Sequence, residues 1–484
     1  MAIQSYGRAL GELAARDPER TAVVCEDRTL TLGELDRRSN RLARTFAELG
    51  VGQDDRVSFS LANGLELITG CFAAWKLGAV PNPLSDQLPR LERDAILKVA
   101  TPALVVGVAA GETLSAPSLP PGFMPDTAVS DAPLPDRTAP SERALASGGS
   151  TGLPKLIVPK SAAAYDSENA SPLFRAKYAV LVPGPLSHAV PFSATFQGIL
   201  AGCKVVVMGR FDARHFLELV EAHRVDRVSV VPAMMLRIWR LPEAVRLSTD
   251  VSSLEFVMSG GAPLPAWLMR NWIEWLGPDV MHEAFGPSER IGGTFISGAE
   301  WLAHPGSVGR PMTPGSLKIL DAERNELPAG EMGEIFMMPA AGPGSTYEYI
   351  GARANARHDG WESVGDMGYL DAEGYLYLGD RRSDMIVIGG RNVYPAEIEA
   401  ALEEHPSVRS CAVIGLPEDE LGQRIHAIVE CDGVLDGDVL RRHLEARLAR
   451  YKIPRSFEAV ETPLRNEAGK VRRSALRTER MMDA

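Results

Sequence analysis

The chain has 484 residues, 45% hydrophobic and 24% charged, a globular balance on a chain too long for one core, so two or more domains are expected. Its 51 basic and 63 acidic residues give a net charge of -12, which argues against a general nucleic-acid binder or a binder of anionic membranes while leaving room for a local cationic pocket. The five cysteines, Cys25, Cys71, Cys203, Cys411 and Cys431, are scattered and lack CxxC spacing, so neither a disulfide framework nor a zinc site is expected, and a reducing cytoplasm is the simple reading.

In chain order, the opening MAIQSYGRALGEL has no long apolar core and reads as no signal peptide. TLGE then offers a helix start, with Thr31 capping Glu34 and Glu34 reaching back. Leu35, Leu42, Phe46 and Leu49 form the apolar face, and Gly50 suits the stop. Short β-rich runs follow at 56–61, 204–208, 227–231 and 254–258, with a helical pattern at 213–223. The alternation predicts an α/β fold of layered β-sheets and helices, the main sheet largely parallel. Residues 109–141 crowd seven prolines among few large apolar groups and read as a surface excursion. The longest uncharged stretch, 178–203, is interrupted by Pro183, Pro185, His188 and Pro191, so membrane insertion is not expected. Composition changes again near 380, and the remaining hundred or so residues read as a compact α+β unit. Within it, VRSCAVIGL is expected as a strand and GDVLRRHLEARLARY as an amphipathic helix.

The strongest chemical motif is SGGSTGLPK at 147–155. Small residues at Ser147, Gly148, Gly149 and Gly152 let backbone amides close on an anion, and successive N–H groups can form a phosphate nest. Ser150 and Thr151 add hydroxyl donors and Lys155 adds charge. The spacing is not GxxxxGK[ST], so this is a different phosphate loop from that of the common P-loop NTPases.

This loop resembles the phosphate loop of the adenylate-forming superfamily: acyl-CoA synthetases, luciferases and peptide-synthetase adenylation domains. Other pieces stand in that family's order: PLSHAVPF with His188, SGGAPL (259–264), FGPSE (285–289), GSVGRP (306–311), GEMGEI (330–335), DGWESVGD ending at Asp366, GDRRSDMIVIGGRNVYPAEIE (379–399) and RNEAGK ending at Lys470. The resemblance spans essentially the whole chain. It implies activation of a carboxylic acid: attack on the α-phosphorus of ATP installs AMP as a leaving group, and the acyl group then passes to a thiol. Charge gathers at one point in that reaction, so donors, cations and Mg²⁺ are needed there.

Residue by residue, the resemblance implies that Glu289 meets the magnesium ion and Ser288 the α-phosphate. Gly260, Gly261, Ala262, Pro263, Phe285 and Gly286 would surround the nucleotide, with Phe285 replacing the more usual tyrosine. Asp366 would accept hydrogen bonds from both ribose hydroxyls, a bidentate task that suits a carboxylate, and Arg381 would reach the same ribose. Lys470 resembles the mobile catalytic lysine that bridges the acyl carboxylate and the α-phosphate. His188 resembles the histidine between acyl pocket and thiol tunnel; a structural histidine is the competing reading. The acyl pocket is expected from His188, Val190, Phe192, Met235, Ser259, Gly261, Ile291, Gly292 and Gly293, with the last two glycines leaving room. No cation is evident for a second carboxylate, so a bulky apolar acid is favoured.

The resemblance also implies a large ATP- and acyl-binding domain at 1–382 and a small mobile domain at 383–484. The hinge would lie at Ser383, where aspartate is usual, and Gly389 and Gly390 would belong to the thiol-presenting loop. Val387 stands where many members carry lysine. The wording of these motifs is most similar to ligases for bile acids and other polycyclic or terpenoid acids, including diterpenoid acyl-CoA ligases of platensimycin-type biosynthesis. An aryl acid is the other reading. Coenzyme A is the expected thiol, since no carrier domain is fused, with a carrier-protein thiol as the alternative. Two further alternatives are thioesterification alone, using acyl-adenylate from an upstream enzyme, and a non-catalytic binder of acyl-adenylate.

Overall fold

The computed structural model describes residues 3–109, 112, 116–148, 154–169, 171–388, 391–418, 422–431, 433 and 435–482. The large N-terminal part is organised on a nine-stranded sheet. Its centre is parallel: Met281–Phe285, Phe256–Gly260, Arg227–Val230, Ala179–Val182, Lys204–Val207 and Thr21–Cys25 lie side by side in that order. Antiparallel strands close both edges, Arg28–Thr31 at one and Thr294–Ser297 with Arg310–Pro311 at the other. A second sheet, Val80–Leu84, Arg56–Ser60, Leu104–Val106 and Ser118–Leu119, is wholly parallel. Such strands are covered on both faces, and Val57, Phe59, Val205 and Val207 accordingly have no exposed surface.

The capping box forms as expected: Glu34 N–H donates to Thr31 Oγ1 at 3.2 Å and Thr31 N–H to Glu34 Oε2 at 3.0 Å. The helix Leu32–Glu48 buries Leu35, Leu42 and Phe46. Beyond its end Gly50 takes φ +94°, the left-handed region that glycine enters without strain. The helix Ala213–His223 has the expected bounds. The strand expected at 254–258 is displaced to Phe256–Gly260, because pairing begins where Phe256 meets Arg227 and the preceding residues form a turn capped by Asp250. In 109–141 the described residues are mostly irregular. Asp131 pins them through Arg41 at 2.6 Å and through its carbonyl to Asn40 at 2.9 Å.

The C-terminal part is a small α+β domain with its own core, in which Ile386, Val393, Ile398, Leu402, Val413, Ala427, Val429 and Leu444 pack together. Strand Val408–Glu418 extends the expected VRSCAVIGL run and pairs antiparallel with Gly422–Cys431, which pairs in parallel with Ser456–Val460. The helix expected to reach residue 451 ends at Glu445. A single 3-10 turn, Arg450–Lys452, follows. Pro454 then holds the chain extended, and Arg455 N–H joins Ile425 O at 3.0 Å to begin the next strand. Among the described residues, no helix is long and apolar enough to cross a membrane.

Candidate active site

The phosphate-loop motif sits on two antiparallel strands, Leu145–Gly148 and Pro154–Pro159, with Ser147 opposite Lys155 and Gly148 opposite Pro154. The connection between them, with Gly149, Ser150, Thr151 and Gly152, lies outside the described residues, as do Gly389 and Gly390 of the expected thiol loop. A third strand, Tyr347–Ile350, pairs with Pro154–Pro159.

Glu289 stands on the loop between Met281–Phe285 and Thr294–Ser297 and is 6% exposed. Tyr349 donates its hydroxyl to Glu289 Oε1 at 2.5 Å. Lys155 Nζ lies 3.9 Å from the same oxygen and 3.7 Å from the centre of the Tyr349 ring. Burial lowers the Lys155 pKa, against the pull of Glu289. The loop is held from behind by Arg290, which takes the left-handed conformation at φ +57°. Arg290 donates to Glu142 Oε1 at 2.7 Å and to Ser193 Oγ at 3.3 Å, and buried Arg143 reaches the same serine at 2.9 Å. The glycines around this loop are small because backbone passes close by. A Cβ on Gly293 would lie 2.7 Å from Phe285 O, and one on Gly260 would lie 2.8 Å from Ala284 O.

Asp366 and Arg381 are opposite partners on adjacent strands, with Arg381 Nε 3.3 Å from Asp366 Oδ1. Burial raises the Asp366 pKa more than Arg381 lowers it. Lys470 arrives from the C-terminal domain on a tight turn, where Asn466 N–H bonds Lys470 O at 3.0 Å and Asn466 Oδ1 accepts from Lys470 N–H at 2.9 Å. Gly469, at φ +73°, packs so closely that a Cβ would stand 3.1 Å from Val231 and 3.2 Å from Ala233. Lys470 is an exposed residue, yet Arg381, Glu289 and Asp366 act on its ammonium; burial, then Arg381, lowers its pKa against the two carboxylates. Flanking contacts secure this docking: Arg472 makes a two-pronged pair with Glu92 at 2.9 and 3.1 Å, and Ser85 donates to Glu467 at 3.2 Å.

His188 is the N-cap residue of the helix Ala189–Leu200, with Ser187 Oγ 3.3 Å from its Nδ1. Burial first and Lys470 second push its pKa down to about 4. It is therefore neutral at pH 7. Ser288 on the Glu289 loop and Phe285 at the end of the preceding strand are half-buried. Gly261 has φ +82°, and Ala262 and Pro263 follow it at the end of strand Phe256–Gly260.

The expected acyl-pocket residues divide. His188 is within the electrostatic reach of Lys470, and Ser259 Oγ is buried with no hydrogen-bond partner among the described residues. Val190 is 49% exposed. Phe192 packs among Trp75 and Phe196 with ring centres 6.0 and 4.5 Å away, and Met235 lies wholly in the core beside Val228 and Val257. These two side chains thus serve core packing. Ile291 is buried against Met337. Gly292 does not open space either: Met337 fills it, 3.0 Å from where a Cβ would stand, and Met312 lies 2.9 Å from the corresponding point on Gly293.

Three groups went unread in the sequence. Tyr349 and Glu142 had no motif to mark them. Glu283 sits two residues before Phe285, 4% exposed, with no donor among the described residues; burial pushes its carboxyl up to about 8. A charged residue at a core-facing position of the alternating run MHEAF was the available signal.

The sequence profile of the AMP-binding enzyme family matches residues 10–349, and that of the AMP-binding enzyme C-terminal domain matches residues 397–470. The chain is 32% identical to a feruloyl-CoA synthase of an Amycolatopsis species, covering 96% of each chain. It is 30% identical to a 2-succinylbenzoate–CoA ligase of Bacillus licheniformis, covering 96% of this chain and 98% of that one. Among solved structures, the O-succinylbenzoate coenzyme A synthetase of Bacillus subtilis in complex with ATP and a magnesium ion superposes with a TM-score of 0.81 at 27% identity, covering 98% of this chain and 100% of that one. With the first profile spanning Lys155 and Glu289 and the second reaching Lys470, the chain belongs to the AMP-binding enzyme family and is an adenylate-forming enzyme.

Proposed function

We propose that this enzyme activates a bulky, apolar monocarboxylic acid as its acyl-adenylate and passes the acyl group to coenzyme A. The observation that carries the reading is the convergence of Lys155, Glu289, Asp366, Arg381 and Lys470, drawn from both domains, into one electrostatically coupled group. Of these, Lys155, Lys470 and the buried acid Glu289 suit a triphosphate undergoing attack at its α-phosphorus. Glu289 is a single carboxylate, and no cluster of three metal-binding side chains exists among the described residues. That donor set fits Mg²⁺, which is commonly held by one or two carboxylates together with substrate phosphates. When bound, Mg²⁺ would neutralise charge on the phosphates. In this reading Lys470 bridges the acid and the α-phosphate, Asp366 and Arg381 hold the ribose, and neutral His188 lines the way to the acyl group.

The preference for a monocarboxylic acid is supported by Arg143 and Arg290. Both are paired with Glu142, so neither is left for a second carboxylate. A polycyclic or terpenoid acid is the proposed class. An aryl acid is the second reading, favoured by the likeness to the feruloyl-CoA synthase. Acid-dependent ATP–pyrophosphate exchange across polycyclic, aryl and fatty acids tests this, alongside mass spectrometry for co-purified acyl-AMP. No exchange with any acid, combined with thioester formation from supplied acyl-adenylate, would replace the reading with thioesterification alone.

Asp366→Ala is expected to weaken ATP and acyl-AMP together by about 30-fold or more, because both carry the same ribose and two charge-assisted hydrogen bonds are lost. Calorimetric titration of each ligand checks this; unchanged acyl-AMP affinity would remove Asp366 from the site.

We place the domain boundary after residue 382 and the pivot at Ser383. Arg382 is tied to the large domain through Gly365 O at 2.9 Å and Glu334 at 3.1 Å. Asp384 is tied to the C-terminal helix through Arg473 at 3.0 Å. Exposed Ser383 lies between these anchors. Proline there restricts φ, and Lys470 already stands at the cleft. Ser383→Pro should therefore trap the adenylating arrangement: acyl-AMP forms and persists while acyl-CoA output falls sharply. Retention of both half-reaction rates would move the pivot elsewhere.

A further inference from the structure

Lys155 and Glu289 do not form a close ion pair, although nothing in their chemistry prevents it. Their nearest atoms are 3.9 Å apart, about 1 Å beyond a charge-assisted hydrogen bond. Tyr349 stands between them. Its hydroxyl takes Glu289 Oε1, and the face of its ring takes the Lys155 ammonium, an attraction of the cation–π kind. Tyr349 is itself braced. Tyr347, two residues earlier on the same strand face, packs against it with ring centres 4.8 Å apart at 71° and donates to buried Glu362 at 2.7 Å. Glu362 lies four residues before Asp366, so the brace reaches the segment that carries the ribose-binding candidate. The strand Tyr347–Ile350 pairs with the strand that carries Lys155, fixing both side chains from one sheet.

We propose that Tyr349 is a positioning residue that holds Glu289 and Lys155 apart and leaves the other carboxylate oxygen, Oε2, to serve the metal-bound triphosphate. This rests on the reading of Glu289 as the metal-facing acid. Without that hydroxyl, Glu289 is free to turn onto Lys155. The resulting direct pair would occupy the carboxylate and the cation that the phosphates need.

The test is Tyr349→Phe, which keeps the ring beneath Lys155 and removes one oxygen. Mn²⁺ binding to the enzyme with α,β-methylene-ATP, followed by electron paramagnetic resonance, is expected to weaken about tenfold, the loss of one hydrogen bond to a charged group. The Mg²⁺ concentration giving half-maximal ATP–pyrophosphate exchange should rise by a similar factor, with a smaller fall in the rate at saturating Mg²⁺. The thermal midpoint confirms that the variant is folded. Glu289→Gln is measured in parallel. If Glu289→Gln loses Mn²⁺ affinity while Tyr349→Phe keeps it, the positioning role is overturned and the Glu289 reading stands. If neither variant changes Mn²⁺ affinity, the Glu289 reading itself fails and the Tyr349 role fails with it.

Discussion

Lys470→Ala is expected to lower acid-dependent ATP–pyrophosphate exchange by about a hundredfold or more, the cost of one charge contact made at the developing phosphorane. The same variant should largely spare thioesterification of supplied acyl-adenylate. The asymmetry follows from the structure. Lys470 is carried by a turn of the C-terminal domain that docks through Gly469 on Val231 and Ala233. In that position its ammonium is influenced by Glu289 and Asp366. A domain that turns about Ser383 carries the lysine away, so the second half-reaction would proceed without it. Each half-reaction must be measured alone, since the slower step masks the other in steady state. Equal losses in both would overturn the two-arrangement mechanism, and unchanged rates in both would remove Lys470 from the chemistry.

Glu283→Gln is expected to stabilise the large domain, and to do so increasingly with pH. The Glu283 carboxyl has no donor among the described residues, and burial pushes its pKa up to about 8 from an ordinary 4.5. Between these values the unfolded chain releases a proton that the folded chain retains. Stability contributed at this position therefore falls as pH rises from 4.5 to about 8 and is level beyond. The full swing is about 5 kcal/mol. Glutamine has nearly the shape of the protonated acid and no charge to bury, so the variant should match the wild type near pH 4.5 and exceed it most near pH 8. Thermal midpoints of both proteins at pH 5 and pH 8 give the comparison without assuming two-state unfolding of a two-domain chain. A gain of equal size at both pH values would show that Glu283 does not titrate between them.

Local chemistry was legible in the chain because it depends on neighbours a few residues away. The capping box at Thr31, the apolar stripe of the helix it starts, and the 213–223 helix all rest on i to i+4 relations. The alternation of short apolar runs and helices implied the parallel sheet. The FGPSE, DGWESVGD and RNEAGK motifs are what single out Glu289, Asp366 and Lys470 as candidates. Boundaries were less legible where a distant partner sets them. Strand Phe256–Gly260 begins where Arg227 meets it, and the 437–451 pattern stops at Glu445 because Pro454 and the pairing of the next strand redirect the chain.

The tertiary structure alone decided who touches whom across the site. Tyr349 reaches Glu289 across 60 residues of sequence, and Arg290 reaches Glu142 across 148. Neither pairing leaves a periodic trace, since each depends on which strands adjoin and in what register. The same cause governs Gly292 and Gly293. A glycine in sequence leaves open whether its missing side chain makes a cavity or admits a neighbour; here Met337 and Met312 occupy the space. The sequence by itself determined which functional groups this enzyme carries and the order in which the chain presents them. Only the folded sheets and the docked C-terminal domain decided their separations, their burial and therefore their charge, because those depend on long-range packing rather than on local spacing.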